Sequence, residues 1–250
     1  MEWSDRGIVL SARRHGESSA VVNALTATHG RHAGLVRGAK RAGGTFEPGN
    51  LVQLRWRARL EEHLGNFQAE LMHSFAAAVL DDPLKLAALT SACALVDTAL
   101  AERERHDKVF ESLSGLLIAL EQGTSTDWQG IYVRFEFDLL TDLGFGLDLS
   151  QCAATGRNDT LIFVSPKTGR AVSAAAGEPY RDRLLPLPGF LLKSETPALP
   201  KEIADGLRLT GSFLERHVFA PHGKKFPLAR TRLIDRIVAS DNLAPGKAAR

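Results

Sequence analysis

Cysteine is nearly absent from this chain: Cys93 and Cys152 are the only two in 250 residues. Two thiols cannot build a disulfide framework, which points to a reducing compartment. Neither stands in a Cys-x-x-Cys pair. The sequence reads Cys152-Ala-Ala-Thr155 with no other Cys or His nearby, so a bound metal is not expected. Long apolar runs are missing too. The longest, Leu84 to Leu100, carries Lys85 and Asp97, too polar for a comfortable membrane span. Met1-Glu2-Trp3-Ser4-Asp5-Arg6 is charged where the apolar core of a signal peptide would begin. The expectation is a cytoplasmic protein that engages no membrane.

Catalytic signatures are lacking as well. There is no Walker loop, no His-Glu-x-x-His and no Gly-x-Ser-x-Gly. Gly144-Phe-Gly146 follows a helical pattern and reads as a helix C-terminal cap and turn. Glu61-Glu62-His63 reads as turn residues between strands rather than as acid–base groups. The chain is therefore expected to be no enzyme and to use no cofactor.

Charge is present but unevenly placed. The net charge is +2, yet residues 1–80 carry +3, residues 81–150 carry −8 and residues 151–250 carry +7. Two basic ends flank an acidic middle. The first 75 residues hold five short β-type runs, at 7–11, 19–25, 32–37, 51–60 and 67–72, separated by turns containing Gly. Five strands in that length suit a small OB-like β-barrel. The texture changes at Asp81-Asp82-Pro83, where Asp before Pro suits a helix N-terminus. Helices are expected near 83–101, 105–121 and 126–143, then near 200–218 and 227–240. Val109, Leu113, Leu116, Leu117 and Leu120 form one apolar stripe, and Trp128, Ile131, Phe135 and Leu139 another. Residues 146–198 read as an irregular insertion with room for a short hairpin, and 244–250 as disordered. The fold class is α+β, with an OB-type domain over 1–80 and a helical domain over 81–250.

The run Leu51 to Leu60 carries the most information. Alternation in a strand puts Val52, Leu54, Trp56, Ala58 and Leu60 on one face and Gln53, Arg55, Arg57 and Arg59 on the other. Arg31, Arg37, Lys40 and Arg41 precede it as a basic loop. Guanidinium groups donate paired hydrogen bonds to phosphate, so these seven cations are the candidate DNA-binding set. Single-strand binders also stack bases on aromatic side chains. Trp56 has core parity, which leaves Trp3 and Phe46 as candidates. A second cluster, Lys224, Lys225, Arg230, Arg232 and Arg236, is interleaved with Phe219, Phe226, Leu233 and Ile237. It suits an acidic, apolar-ended partner peptide.

These segments, in this order, resemble the RecO family of bacterial recombination mediators. The likeness rests on Trp3 to Ser19, His29 to Arg41, Pro48-Gly49-Asn50 leading into the Arg-rich strand, Ser165 to Arg170, and Leu207 to Pro221. The resemblance implies binding of single- and double-stranded DNA and strand annealing. It also implies work with RecR and the single-stranded-DNA-binding protein to load RecA, at the nucleoid. Many family members carry a four-cysteine zinc module. Here Thr155, Ser173 and Ala176 stand where three of those cysteines would be, so packing of Leu161, Phe163 and Val172 must hold the segment. The competing reading is an OB adaptor for protein or RNA without DNA activity.

Overall fold

The computed structural model describes residues 1–60, 62–123, 127–192 and 198–243; the expected disorder of 244–250 lies outside them. Five strands come first: β1 (Glu2–His15), β2 (Ser19–Thr26), β3 (Gly30–Val36), β4 (Leu51–Arg57) and β5 (Asn66–His73). They close a barrel in the order β1-β2-β3-β5-β4. Helices α1 (Phe75–Ala78), α2 (Pro83–Ala99), α3 (Asp107–Gln122) and α4 (Asp127–Asp142) follow. A small sheet of β6 (Leu161–Val164), β7 (Ala171–Ser173) and β8 (Leu185–Pro186) includes the one-turn helix α5 (Ala174–Gly177) in its connections. The chain ends with α6 (Pro200–Phe213), extended by a π-helical turn over Leu214–Phe219, and α7 (Leu228–Leu243).

Backbone contacts divide the chain into two compact units. One holds residues 1–122 together with 227–250, and the other holds 123–226. In the first, Val22, Ala24, Val52, Leu54 and Trp56 fill the barrel at 1% exposure or less. Strand β1 makes closure possible. Its first half pairs antiparallel with β4, from Glu2↔Arg57 to Ile8↔Leu51. Its second half pairs with β2, and the register shifts between Val9 and Ser11. Such a bulge bends a strand and raises its twist, so one strand serves two neighbours. Sequence reading placed only 7–11 in this strand. The charged Glu2, Arg6, Arg13 and Arg14 that masked its length are exposed.

Asp82 caps α2 as expected, its Oδ1 accepting from the N–H groups of Leu84 and Lys85 at 3.0 and 3.1 Å. Within the first unit α2 meets the barrel on one side, where Leu89 touches Gly49 and the Cys93 thiol donates to the Val9 carbonyl. On another it packs along α7. A helix covered on several sides is apolar nearly all round, which accounts for the length of the Leu84–Leu100 run. Cys93 is a core residue, its thiol pushed up to about 12 by burial, with Asp97 adding to the effect.

In the second unit Trp128, Phe135 and Leu139 are buried on α4, but Ile131 is 36% exposed. The α4 core face runs through Tyr132 and Val133 instead. The expected insertion contains more order than the sequence indicated. Its hairpin of β6 and β7 buries Leu161, Phe163 and Val172.

Candidate nucleic-acid interface

Strand β4 displays its alternation clearly. Val52, Leu54 and Trp56 point into the barrel, while Arg55 and Arg57 are exposed on the outside. The strand stops at Arg57, three residues before the expected end. Arg59 therefore lies beyond the ladder, and Leu60 is 47% exposed rather than in the core. Antiparallel register sets the neighbours across the outer face. Arg6 lies beside Gln53 and Gln53 beside Glu70; Ser4 lies beside Arg55 and Arg55 beside Gln68; Glu2 lies beside Arg57 and Arg57 beside Asn66. Two shallow depressions open here. One of about 240 Å³ is lined by Arg55, Arg57, Asn66 and Gln68. Another of about 340 Å³ is lined in part by Ser4, Gln53, Arg55 and Gln68. Glu2 bridges the cations, pairing with Arg55 and lying 4.0 Å from Arg57. Exposed pairs of this kind are weak and screened by salt, so a phosphate can replace the carboxylate.

Barrel closure brings the basic loop to this strand. Arg57 pairs with Asn66, and Asn66 pairs with Leu35 of β3. Adjacent strands lie about 4.8 Å apart, so the outer-face rung carries Arg57 near the end of β3, where the exposed Arg37 and Lys40 begin the loop. The same rung continues from Leu35 through Val21 to Arg13. Arg6 and Arg13 were missed by sequence reading. Their signal was positional: both sit in β1, whose length only the pairing with β4 and β2 reveals. Arg41 ends a 3-10 turn over Ala39–Arg41.

Arg31 is a strand residue, not a loop residue. Its guanidinium is 13% exposed and binds inward, Nε to the Leu100 carbonyl at 3.1 Å, Nη1 to Asp97 at 3.3 Å and Nη2 to Glu102 at 3.4 Å. It ties β3 to the segment after α2. Phe46 is buried in the barrel core. Trp3 is only half-buried, and it stacks on the His29 ring at 4.2 Å between centroids and 9° between planes.

The second basic cluster is divided between the units, Lys224 and Lys225 in one, Arg230, Arg232 and Arg236 in the other. Lys224, Lys225, Arg232 and Arg236 are exposed. Arg230 is 3% exposed, and Leu233 and Ile237 are core residues rather than the lining of a groove. Arg236 donates from Nη1 to the Pro83 carbonyl at 2.8 Å.

The insertion does not fit a zinc ion. Zinc wants four nitrogen or sulfur ligands, and these positions offer Cys152, two hydroxyls and the Ala176 methyl group. Among the described residues no group of three or more His, Cys, Asp or Glu could hold a metal. Hydrogen bonds are made where the module would have metal bonds. Cys152 Sγ is fully buried and accepts from the Ser173 N–H at 3.2 Å, while the Cys152 N–H donates to the Arg157 carbonyl at 2.7 Å. Burial opposes ionisation of this thiol, but bonds from Ser173 and Thr155 outweigh it and bring it to about 6.

A closed barrel in the order β1-β2-β3-β5-β4, built on one long bent strand, defines an OB-fold protein. Residues 1–75 match the family model described as Recombination protein O N terminal, and residues 80–226 the one described as Recombination protein O C terminal. Curated relatives named DNA repair protein RecO include one from Rhodospirillum centenum, 55% identical over 94% of each chain. One from Rhodospirillum rubrum is 51% identical over 95% of this chain and 96% of its own. Another, from Caulobacter vibrioides, is 46% identical over 97% and 100%. The chain belongs to the RecO family and has a role in DNA repair and recombination. Among the described residues no helix is long and apolar enough to cross a membrane.

Proposed function

We propose that this protein is a non-catalytic recombination mediator of the cytoplasm and nucleoid that binds DNA through the outer face of its barrel. It binds single and double strands with little regard to sequence, anneals complementary strands and acts with RecR to load RecA on coated single strands. One observation carries the reading: the barrel rung that joins Arg57 to Asn66 and Leu35 sets the exposed Arg55 and Arg57 of β4 close to the end of β3, where the exposed Arg37 and Lys40 begin the loop. No base edge is selected by such a surface, because guanidinium groups aimed at phosphates read charge and spacing only.

The test is a titration of a labelled single-stranded oligonucleotide by fluorescence anisotropy at several salt concentrations. The triple variant Arg55→Ala, Arg57→Ala, Arg59→Ala should bind more weakly and flatten the log–log salt slope by about 1–2, since each released counterion on a single strand contributes about 0.7. A slope equal to the wild type would remove this strand from the interface.

For the partner surface, the exposed Arg232 and Arg236 of α7 are the proposed contacts for the acidic tail of the single-stranded-DNA-binding protein. Replacing Arg232 and Arg236 by Glu should weaken binding of a tail peptide at least tenfold, because attraction becomes repulsion. Unchanged peptide affinity would count against this placement.

A further inference from the structure

A cavity of about 340 Å³ opens at one end of the barrel, within the first unit. Its size falls in the range of ligand pockets, about 300–1,000 Å³. Trp3, His29, His32, Trp56, Arg103 and Arg105 are among its lining residues. This is not the Arg55–Arg57 face, because Trp3 and Trp56 pair across β1 and β4 with the opposite parity.

Three features mark it as built for a ligand. The first is a pile of rings. Trp3 stacks on Trp56 at 5.7 Å and 17°, and on His29 at 4.2 Å and 9°. His29 is the outer member and is 34% exposed. Its orientation is fixed, because Nδ1 lies 3.0 Å from Asp5 Oδ2. The second is His32, 4% exposed and set edge-on to both tryptophans. Its Nδ1 is 3.3 Å from the His29 carbonyl. A carbonyl only accepts, so Nδ1 carries the proton, and Nε2 of the neutral ring is left with a lone pair. That Nε2 is buried and has no protein partner. The third is Arg103. Its backbone φ is +66°, uncommon for a residue with a side chain. Nη2 is held by the His63 carbonyl at 3.1 Å, while Nε is buried without a partner.

A flat ring system offering both a donor and an acceptor satisfies all three. The donor meets His32 Nε2, an acceptor meets Arg103, and the faces extend the ring pile. A phosphodiester or an ionised carboxylate supplies no donor for His32. We propose that this cavity receives one unstacked nucleobase of a single strand, with Arg105 at the rim contacting the adjacent phosphate. The assignment rests on the DNA-binding reading above and gives the barrel a second point of contact, one that needs a base.

The experiment compares a single-stranded oligonucleotide with an abasic phosphodiester of equal length, by anisotropy and by quenching of tryptophan fluorescence. Wild-type protein should prefer the base-bearing strand roughly tenfold, within the range that one stacked base contributes, and its fluorescence should fall on binding. In the double variant His29→Ala, Arg105→Ala, which leaves the barrel core intact, the preference should shrink severalfold. The single variant His29→Phe, with Arg105 retained, should preserve the preference, because the ring is what matters. Equal binding of the two strands by wild-type protein, or an unchanged preference in the double variant, overturns the pocket and leaves the phosphate face standing. Failure of both strands to bind at all overturns the DNA reading itself. Quenching by a short acidic peptide but not by the oligonucleotide would give the cavity to a protein partner and overturn the proposal.

Discussion

His32 shows how one residue of this barrel responds to its surroundings. Burial, reinforced by the charge of Arg103, holds its imidazole below the ordinary value of 6.5. The folded protein therefore keeps this ring neutral while the unfolded chain takes up a proton at about 6.5. Between that value and the lower folded one, the unfolded state binds more protons, so stability falls as pH falls. Thermal midpoints measured at about pH 7.5 and 5.5 should drop further for the wild type than for His32→Gln, whose side chain does not titrate. Parallel drops would show that His32 is not linked to folding. The contrast between Arg55 and Arg31 belongs to the same scale. Both are arginines in a basic stretch, but Arg55 is 60% exposed and Arg31 13%. Strand parity made Arg55 legible, whereas Arg31 depends on Asp97 and Glu102, distant in sequence, to turn it inward.

At the level of elements, the barrel and the segment after α2 are fitted through a glycine. Gly30 has φ +70°, and a Cβ there would lie 1.9 Å from the Glu104 carbonyl oxygen. That close approach lets the Arg103 N–H reach the Arg31 carbonyl at 2.8 Å and sets Arg103 and Arg105 over the cavity. Gly30→Ala should destabilise the protein by about 1–3 kcal/mol from backbone strain alone, more with the backbone collision. Chemical denaturation measures it, and an unfolding midpoint equal to the wild type would refute the close approach. The elements whose pattern is local were readable in advance. Strand β4 has parity, α2 has Asp82 and Pro83, and α3 has a stripe of leucines buried completely. Strand β1 was not, because its outer half looks like a polar leader until β4 is placed beside it.

For the whole molecule, the chain order and the spatial order differ. Helix α7 comes last yet belongs with the barrel, α2 and α3. Leu233 and Ile237 are 0% and 1% exposed, and α7 packs along α2. Leu233→Ala should cost about 2–5 kcal/mol through lost burial and the cavity left behind. Hydrogen exchange of α2 amides should speed up accordingly; unchanged protection there would mean α7 contributes nothing to holding α2.

The sequence by itself determined the alternation of β4, the starts of the helices, the apolar stripe of α3 and the basic character of the two ends, because each depends on residues a few positions apart. It also carried the resemblance to the RecO family, which the order of its motifs conveys. Only the tertiary structure decided that Arg31 turns inward while Arg55 and Arg57 stay exposed, that Leu233 and Ile237 are core, and that Trp3, His32 and Arg103 line one cavity. Those facts depend on strand register, on a bulge and on contacts between segments as much as 153 residues apart. Burial and electrostatic environment are properties of what packs around a side chain, and local sequence does not contain them.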